Sequence, residues 1–148
     1  MKKQFWVASA VVASVFLAGC QTAPVEQPSK VEEQVKEEIL SISGTMAYRE
    51  RIALPADAVI TVRLEDVSLA DAPAKVISEQ EFTSDGDQVP LDFRLSYSNL
   101  DIKPNHRYSV RATIHVNGKL RFTTDSSYPV ITDPNNTSDV NLRLVGVR

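Results

Sequence analysis

The stretch Leu91-Asp92-Phe93-Arg94-Leu95-Ser96-Tyr97, led in by Val89-Pro90, decides the fold class. Large apolar residues take every second position and polar or charged ones the positions between. That is the period of a strand that buries one face and wets the other. The same period recurs on both sides of it. Upstream lie Ile42, Gly44, Met46 and Tyr48, then Ile60, Val62 and Leu64 alternating with Thr61, Arg63 and Glu65, then a weaker run from Lys75 to Phe82. Downstream come Tyr108, Val110, Ala112, Ile114 and Val116, then Leu120, Phe122 and Thr124, a short edge strand from Tyr128 to Ile131, and finally Val140, Leu142 and Leu144. Turn-forming residues separate the runs: Leu54-Pro55-Ala56-Asp57, Ser84-Asp85-Gly86-Asp87, Lys103-Pro104-Asn105, Asn117-Gly118 and Asp133-Pro134-Asn135-Asn136. No helix of ten or more residues is expected after position 41. The pattern predicts an all-β fold, a single antiparallel β-sandwich of about seven to eight short strands over residues 41–148.

The Asn117-Gly118 hairpin permits a prediction of register. A two-residue turn would set Val116 opposite Lys119 and Ile114 opposite Arg121, mixing apolar and charged side chains on one face. One additional residue sets Val116 opposite Leu120, Ile114 opposite Phe122, Thr113 opposite Thr123 and Arg111 opposite Asp125. Because a one-residue slip turns every side chain over, a bulge or three-residue loop at Asn117–Lys119 is predicted.

The other end of the chain is of a different kind. Met1-Lys2-Lys3 is a short cationic segment, and Phe5 to Leu17 follows as thirteen residues without a charge. As helix that run would measure roughly 20 Å, short of the ~30 Å bilayer core, so residues 1–19 are expected to be a secretory signal peptide. It ends in Leu17-Ala18-Gly19-Cys20, which resembles a bacterial lipobox. Leu17, Ala18 and Gly19 let extended backbone enter a peptidase. Cys20, the only cysteine, supplies the thiolate that takes up diacylglycerol, and its new amino terminus takes a further acyl chain. Position 21 is Gln rather than Asp, which by the bacterial sorting rule favours the outer membrane. With its thiol carrying lipid, the mature chain has no disulfide, and its fold rests on packing.

Residues 20–40 are expected to be the lipidated cysteine followed by an acidic, flexible tether. Pro24 and Pro28 interrupt any early helix, and Glu26, Glu32, Glu33, Glu37 and Glu38 face only Lys30 and Lys36. Ser29-Lys30-Val31-Glu32 has capping-box form and is followed by Val31, Val35 and Ile39 at helical spacing, so a short amphipathic helix is the alternative.

Charge and rare residues narrow the functions. Sixteen Lys and Arg against nineteen Asp and Glu give a net charge of −3, too acidic for a nucleic-acid binder. With one Cys and two His, no multi-ligand metal centre is expected. His106 and His115 are an odd number of residues apart, so on one strand they face opposite ways. His115 shares a polar face with Arg111 and Thr113, and His106 sits at a Pro-Asn turn. No Gly-x-Ser-x-Gly elbow or phosphate-cradling loop occurs. Glu79, Glu81, Asp66, Asp71, Asp85 and Asp87 fall where turns and solvated faces need carboxylates. No catalytic residue and no cofactor beyond the lipid on Cys20 is expected.

Several blocks together carry a family resemblance. They are Tyr48-Arg49-Glu50-Arg51-Ile52-Ala53-Leu54-Pro55, Val62-Arg63-Leu64-Glu65-Asp66-Val67-Ser68, Asp71-Ala72-Pro73-Ala74, Val89-Pro90-Leu91-Asp92-Phe93 and Arg121-Phe122-Thr123-Thr124-Asp125-Ser126-Ser127-Tyr128-Pro129-Val130. The chain from about Ile42 to Arg148 resembles the YbaY-type lipoproteins. These are grouped with YscW-type pilotins, the lipoprotein chaperones of type III secretion secretins. The blocks match the YbaY-type pattern better than the pilotin one. The resemblance implies a compact β-sandwich on a lipid anchor and no catalytic residues. A pilotin holds a hydrophobic secretin segment in a groove and carries it to the outer membrane on its own acyl chains.

Two surface clusters are candidates for partner binding. Arg49, Glu50 and Arg51 crowd mixed charge at a strand end, as a solvated rim or a recognition patch. Tyr128-Pro129 lies beside an edge strand that could receive a partner's segment, although Tyr128 equally suits a cap on the core. The leading expectation is a non-catalytic lipoprotein, anchored in the outer membrane and facing the periplasm, that binds or chaperones another envelope component such as a secretin. The alternative is a glycan or small-ligand binder that uses Tyr48, Tyr97 or Tyr128 on a concave face.

Overall fold

The computed structural model describes residues 35–148. Eight strands follow in order: β1 (Ile39–Tyr48), β2 (Val59–Asp66), β3 (Lys75–Thr83), β4 (Leu91–Ser98), β5 (Tyr108–Val116), β6 (Lys119–Thr124), β7 (Pro129–Val130) and β8 (Asp139–Gly146). A single 3₁₀ turn, Asn99–Asp101, follows β4, with the Ser98 hydroxyl accepting the Leu100 N–H at its start. Every predicted run becomes a strand. The edges differ: β1 begins at Ile39, inside the segment expected to be tether, and β4 begins at Leu91, after a cis Val89–Pro90 peptide. Residues 35–38 are not helical, and Ile39 is extended, so no amphipathic helix runs through to Ile39.

The expectation of an antiparallel sandwich is corrected. All strands belong to one sheet, in the order β3-β2-β5-β6-β8-β1-β4, with β7 pairing the start of β5. The sheet curls until β3 and β4 lie side by side, giving a nearly closed barrel. It is also mixed, because β1 and β8 pair in parallel from Ser43↔Asp139 to Tyr48↔Leu144. Alternation says only that each strand buries one face. Two facing sheets and one curled sheet both satisfy it, and the pairing of first with last strand decides between them.

Gly44 makes that pairing possible. It lies opposite Val140 on β8 and Phe93 on β4, and a Cβ at this position would overlap the Val140 carbonyl oxygen. Only glycine lets the two backbones approach so closely.

The hairpin prediction is half corrected. Ile114 does face Phe122 and Thr113 faces Thr123, but the turn is a two-residue one with Val116 opposite Lys119. Asn117 (φ 51°) and Gly118 (φ 72°) supply the left-handed pair that a type I′ turn needs. The additional residue is taken up inside β6, where the register shifts around Arg121, and the ladder stops short of an Arg111–Asp125 pair. Both requirements, a tight turn and a consistent face, are met by moving the bulge.

Ile42, Met46, Ile60, Val62, Leu64, Leu95, Val110, Ile114, Phe122 and Leu144 fill the barrel, each essentially inaccessible. Such side chains stabilise the fold by about 1.5–3 kcal/mol each before conformational entropy is set against them. Tyr48 stacks on Phe122 with ring centroids 4.0 Å apart, and its hydroxyl donates to the Ile52 carbonyl at 2.6 Å.

Candidate functional site

Among the described strands, the wall lacks a ladder along the whole junction of β3 and β4, the two ends of the strand path, and more briefly beside β8 from Asp139 to Arg143, where β6 has ended. At the β3–β4 junction two antiparallel strand edges adjoin without a backbone ladder. The Arg94 N–H points away from β1 and donates instead to the side-chain carbonyl of Gln80 at 3.0 Å. By the alternation of an antiparallel strand, Asp92 and Ser96 direct their backbone groups into the same seam.

The seam exists because of what β3 offers its inner face. Opposite the core residues Ile60, Val62 and Leu64 of β2 stand Phe82, Gln80 and Ser78. Two of the three are polar, and a register shift beyond Leu64 leaves Ile77 unmatched on the β3 side and sets Val76 opposite Glu65. Ile77 and Phe82 still pack against the core, but the backbone of β3 is laddered to β2 alone. On its outer face the charged side chains pair with β2: Arg63 with Glu79, and the Thr61 hydroxyl with Glu81 at 3.4 Å.

The foot of the seam is a shaped depression of about 520 Å³ lined by Phe82, Asp85, Asp87, Pro90, Leu91 and Asp92 among others. Its walls are fixed. Gln88 closes a two-way clasp on Leu54, its carbonyl accepting the Leu54 N–H (2.8 Å) and its amide donating to the Leu54 carbonyl (3.0 Å). The buried Ser84 donates its hydroxyl to the Pro55 carbonyl at 2.7 Å. Phe82 and the nearly buried Leu91 thus lie in a largely polar mouth edged by three carboxylates.

The residues singled out from sequence lie elsewhere. Arg49, Glu50 and Arg51 follow β1 at the same end as the seam's foot, and all three are exposed. Glu50 is already engaged: its carboxylate accepts its own backbone N–H and that of Gly146 (3.0 Å), which holds its pKa below the usual carboxylate range. Tyr128 is half-buried, and its hydroxyl clasps β8 where β6 has ended. It accepts the Arg143 N–H at 2.8 Å and lies 3.3 Å from the Arg143 carbonyl. Pro129, in β7, is exposed at the opposite end of the barrel from Arg49 and Arg51. The two clusters are therefore not brought together, and in each one residue is taken up by the fold. Leu17, Ala18, Gly19 and Cys20, the signal peptide over residues 1–19 and the tether up to residue 34 lie outside the described residues.

The aromatic platform imagined for a glycan is absent among the described residues. Tyr48 and Tyr97 face into the barrel and are buried, and burial pushes both phenols above their ordinary pKa, with Glu50 adding to the effect at Tyr48. Of the carboxylates, Asp66 is the most perturbed. Burial acts to raise its pKa, but hydrogen bonds from Ser68 (N–H 3.0 Å, hydroxyl 2.5 Å) and the His106 ring 2.5 Å away outweigh it and hold the group at about 2. A carboxylate so firmly ionised is a staple. The Ser68 hydroxyl also accepts the Arg107 N–H (2.8 Å), and Thr132 donates to the His106 carbonyl (2.7 Å), so three loops are tied at one end.

The described domain is a small, incompletely closed β-barrel. A model of the type III secretion system lipoprotein chaperone family (YscW) matches residues 37–142, and the chain belongs to that family. It is 37% identical over 145 residues to the uncharacterized lipoprotein YbaY of Escherichia coli (strain K12), covering 92% of this chain and 76% of that one. It is also similar to the solved structure of an alternative pilotin from the type II secretion system of Vibrio cholerae. Identity there is 60%, with a TM-score of 0.74 over 75% of this chain and 99% of that one. The resemblance to YbaY-type lipoproteins grouped with YscW-type pilotins, drawn from the sequence blocks, is borne out by these matches.

Sequence reasoning missed the seam, though its signal was present. The run from Lys75 to Phe82 is the weakest alternation in the domain, and its inner positions include Ser78 and Gln80. Polar residues on the inner face of one strand mark where a wall fails to close.

Proposed function

We propose that this chain is a pilotin-like lipoprotein, non-catalytic, anchored in the outer membrane through acylated Cys20 and facing the periplasm. Its barrel takes up a hydrophobic segment of another envelope protein, a secretin in the leading case, along the β3–β4 seam. The observation that carries the reading is the seam itself. Two strand edges lie side by side, bridged by the Gln80 side chain, above a mouth lined mainly by polar groups with Phe82 and Leu91 among them. Edges left unladdered offer main-chain hydrogen bonds, and the alternate inward positions offer apolar contact. Asp85, Asp87 and Asp92 at the mouth favour a segment with basic residues at that end. The similar V. cholerae protein is a pilotin, which supports the same assignment.

The test is in-cell crosslinking of the acylated protein followed by outer-membrane purification. A stoichiometric outer-membrane multimer that leaves the outer-membrane fraction when Cys20→Ser blocks acylation is the expected result. A Cys20→Ser chain that is still processed at the same site and stays in that fraction would contradict the anchoring, and an acylated chain with no protein partner would contradict the piloting.

A further inference from the structure

Eight large hydrophobic residues stand exposed among the described residues, and six of them gather at one end of the barrel. This is the end at which the chain enters. β1 starts there at Ile39, opposite Ser98 of β4, and β2 ends there at Asp66, opposite Lys75 of β3 and Tyr108 of β5. Val35 (69% exposed), Ile39 (66%) and Leu40 belong to the entering chain, Leu69 (72%) and Val76 (44%) to the β2–β3 connection and the start of β3, and Leu100 (54%) to the turn after β4. The remaining two, Ile52 and Leu120, are at the far end.

Single exposed leucines need no explanation, but a rim of six does. The rim is also built. Asn99 donates its side-chain amide to the Lys36 carbonyl (3.0 Å) and accepts the Glu38 N–H (2.9 Å), while its own N–H reaches the Glu38 carbonyl (3.0 Å). These bonds lay the entering segment against the turn that carries Leu100. The Asp66–His106–Ser68 staple holds the connection that leads into Leu69.

We infer that this rim is a bilayer-contacting surface, on which the barrel rests upright with its entry end against the lipid. The inference builds on the lipoprotein reading above. What selects lipid as the occupant is where the chain comes from. Only fourteen residues lie between Cys20 and Val35, a reach of at most about 50 Å fully extended, and the rim is the first part of the domain that the anchored chain meets. Both signs are mixed there: exposed Lys36, Lys75, Lys103 and Arg107 stand among exposed Glu37, Glu38, Asp71 and Asp101, with the partly buried Asp66 and Asp133 beside them. Charge attraction to an anionic leaflet is thus not what holds the rim, and the contact is apolar. The acidic mouth of the seam opens at the opposite end. A segment lying in the seam then runs along the membrane normal, with its basic end farthest from the lipid.

The test uses the full acylated protein, its Cys20 acylation checked by mass, in vesicles of phosphatidylethanolamine and phosphatidylglycerol. Nitroxide labels are placed one at a time on Leu69→Cys, Leu100→Cys and, at the far end, Leu120→Cys, and collision with oxygen is compared with collision with a water-soluble nickel complex. Labels at 69 and 100 are expected to meet the nickel complex at least several-fold less than the label at 120, and to meet oxygen more. Equal aqueous access at all three sites on an acylated protein would overturn the rim inference and leave the lipoprotein reading standing. Protection from nickel without any gain in oxygen would overturn it in favour of a second copy of the chain on the rim. An unacylated Cys20 would overturn both readings.

Discussion

Gly44 is the residue on which barrel closure depends most directly, because β1 must lie between β4 and β8 with their backbones at contact distance. A methyl group there has nowhere to go: the atom it meets is a main-chain carbonyl of Val140, with the Phe93 ring close behind. Gly44→Ala is expected to lower stability by about 3 kcal/mol, the upper end of ordinary overpacking, read as a lower urea midpoint. Asp66 makes a prediction about pH. Its folded pKa, about 2, lies below its ordinary value of 3.8, so its contribution is complete above pH ~4 and is lost as pH falls towards 2. That contribution is about 2 kcal/mol by linkage. Asp66→Asn should therefore be the less stable protein at pH 6, and the difference in urea midpoint from wild type should shrink as pH is lowered to 2. A difference that persists unchanged at pH 2 would mean that Asp66 acts through shape and not through charge.

At the scale of elements, β3 is the strand with the least to hold it. It is laddered on one side only, its inner face carries Ser78 and Gln80, and its exposed Val76 packs against nothing central. Local opening follows sparse burial and unshared edges. In hydrogen exchange the amides of β3 are expected to exchange before those of β1, β5 and β8. Uniform protection across all four strands would contradict the seam as a weak line in the wall. The strands themselves were legible in the sequence because a period of two survives any arrangement that buries one face. The turns were legible from Asn117-Gly118 and the proline clusters. Sheet order was not, since the parallel joining of β1 to β8 depends on residues about a hundred positions apart and leaves only Gly44 as a local trace. The engagement of Glu50 with Gly146 and of Tyr128 with Arg143 escaped for the same reason: both are long-range hydrogen bonds to backbone.

For the whole described domain, the chain's entry and the seam's mouth lie at opposite ends of the barrel. On the proposed reading the lipobox expected at residues 17–20 would give the address, and the chain enters the barrel at an apolar end. The seam runs from that end to an acidic, rigid mouth at the other. The proposed function requires that a partner's segment lie between β3 and β4. The direct measurement is site-specific photocrosslinking in cells, with the crosslinking residue placed at Asp92 or Ser96 on the seam, or at Arg111 on the closed wall, all of them exposed. The account predicts that Asp92 and Ser96 capture the same outer-membrane multimer and that Arg111 captures none of it. Equal capture from Arg111, or capture from Arg111 alone, would contradict the seam as the binding site.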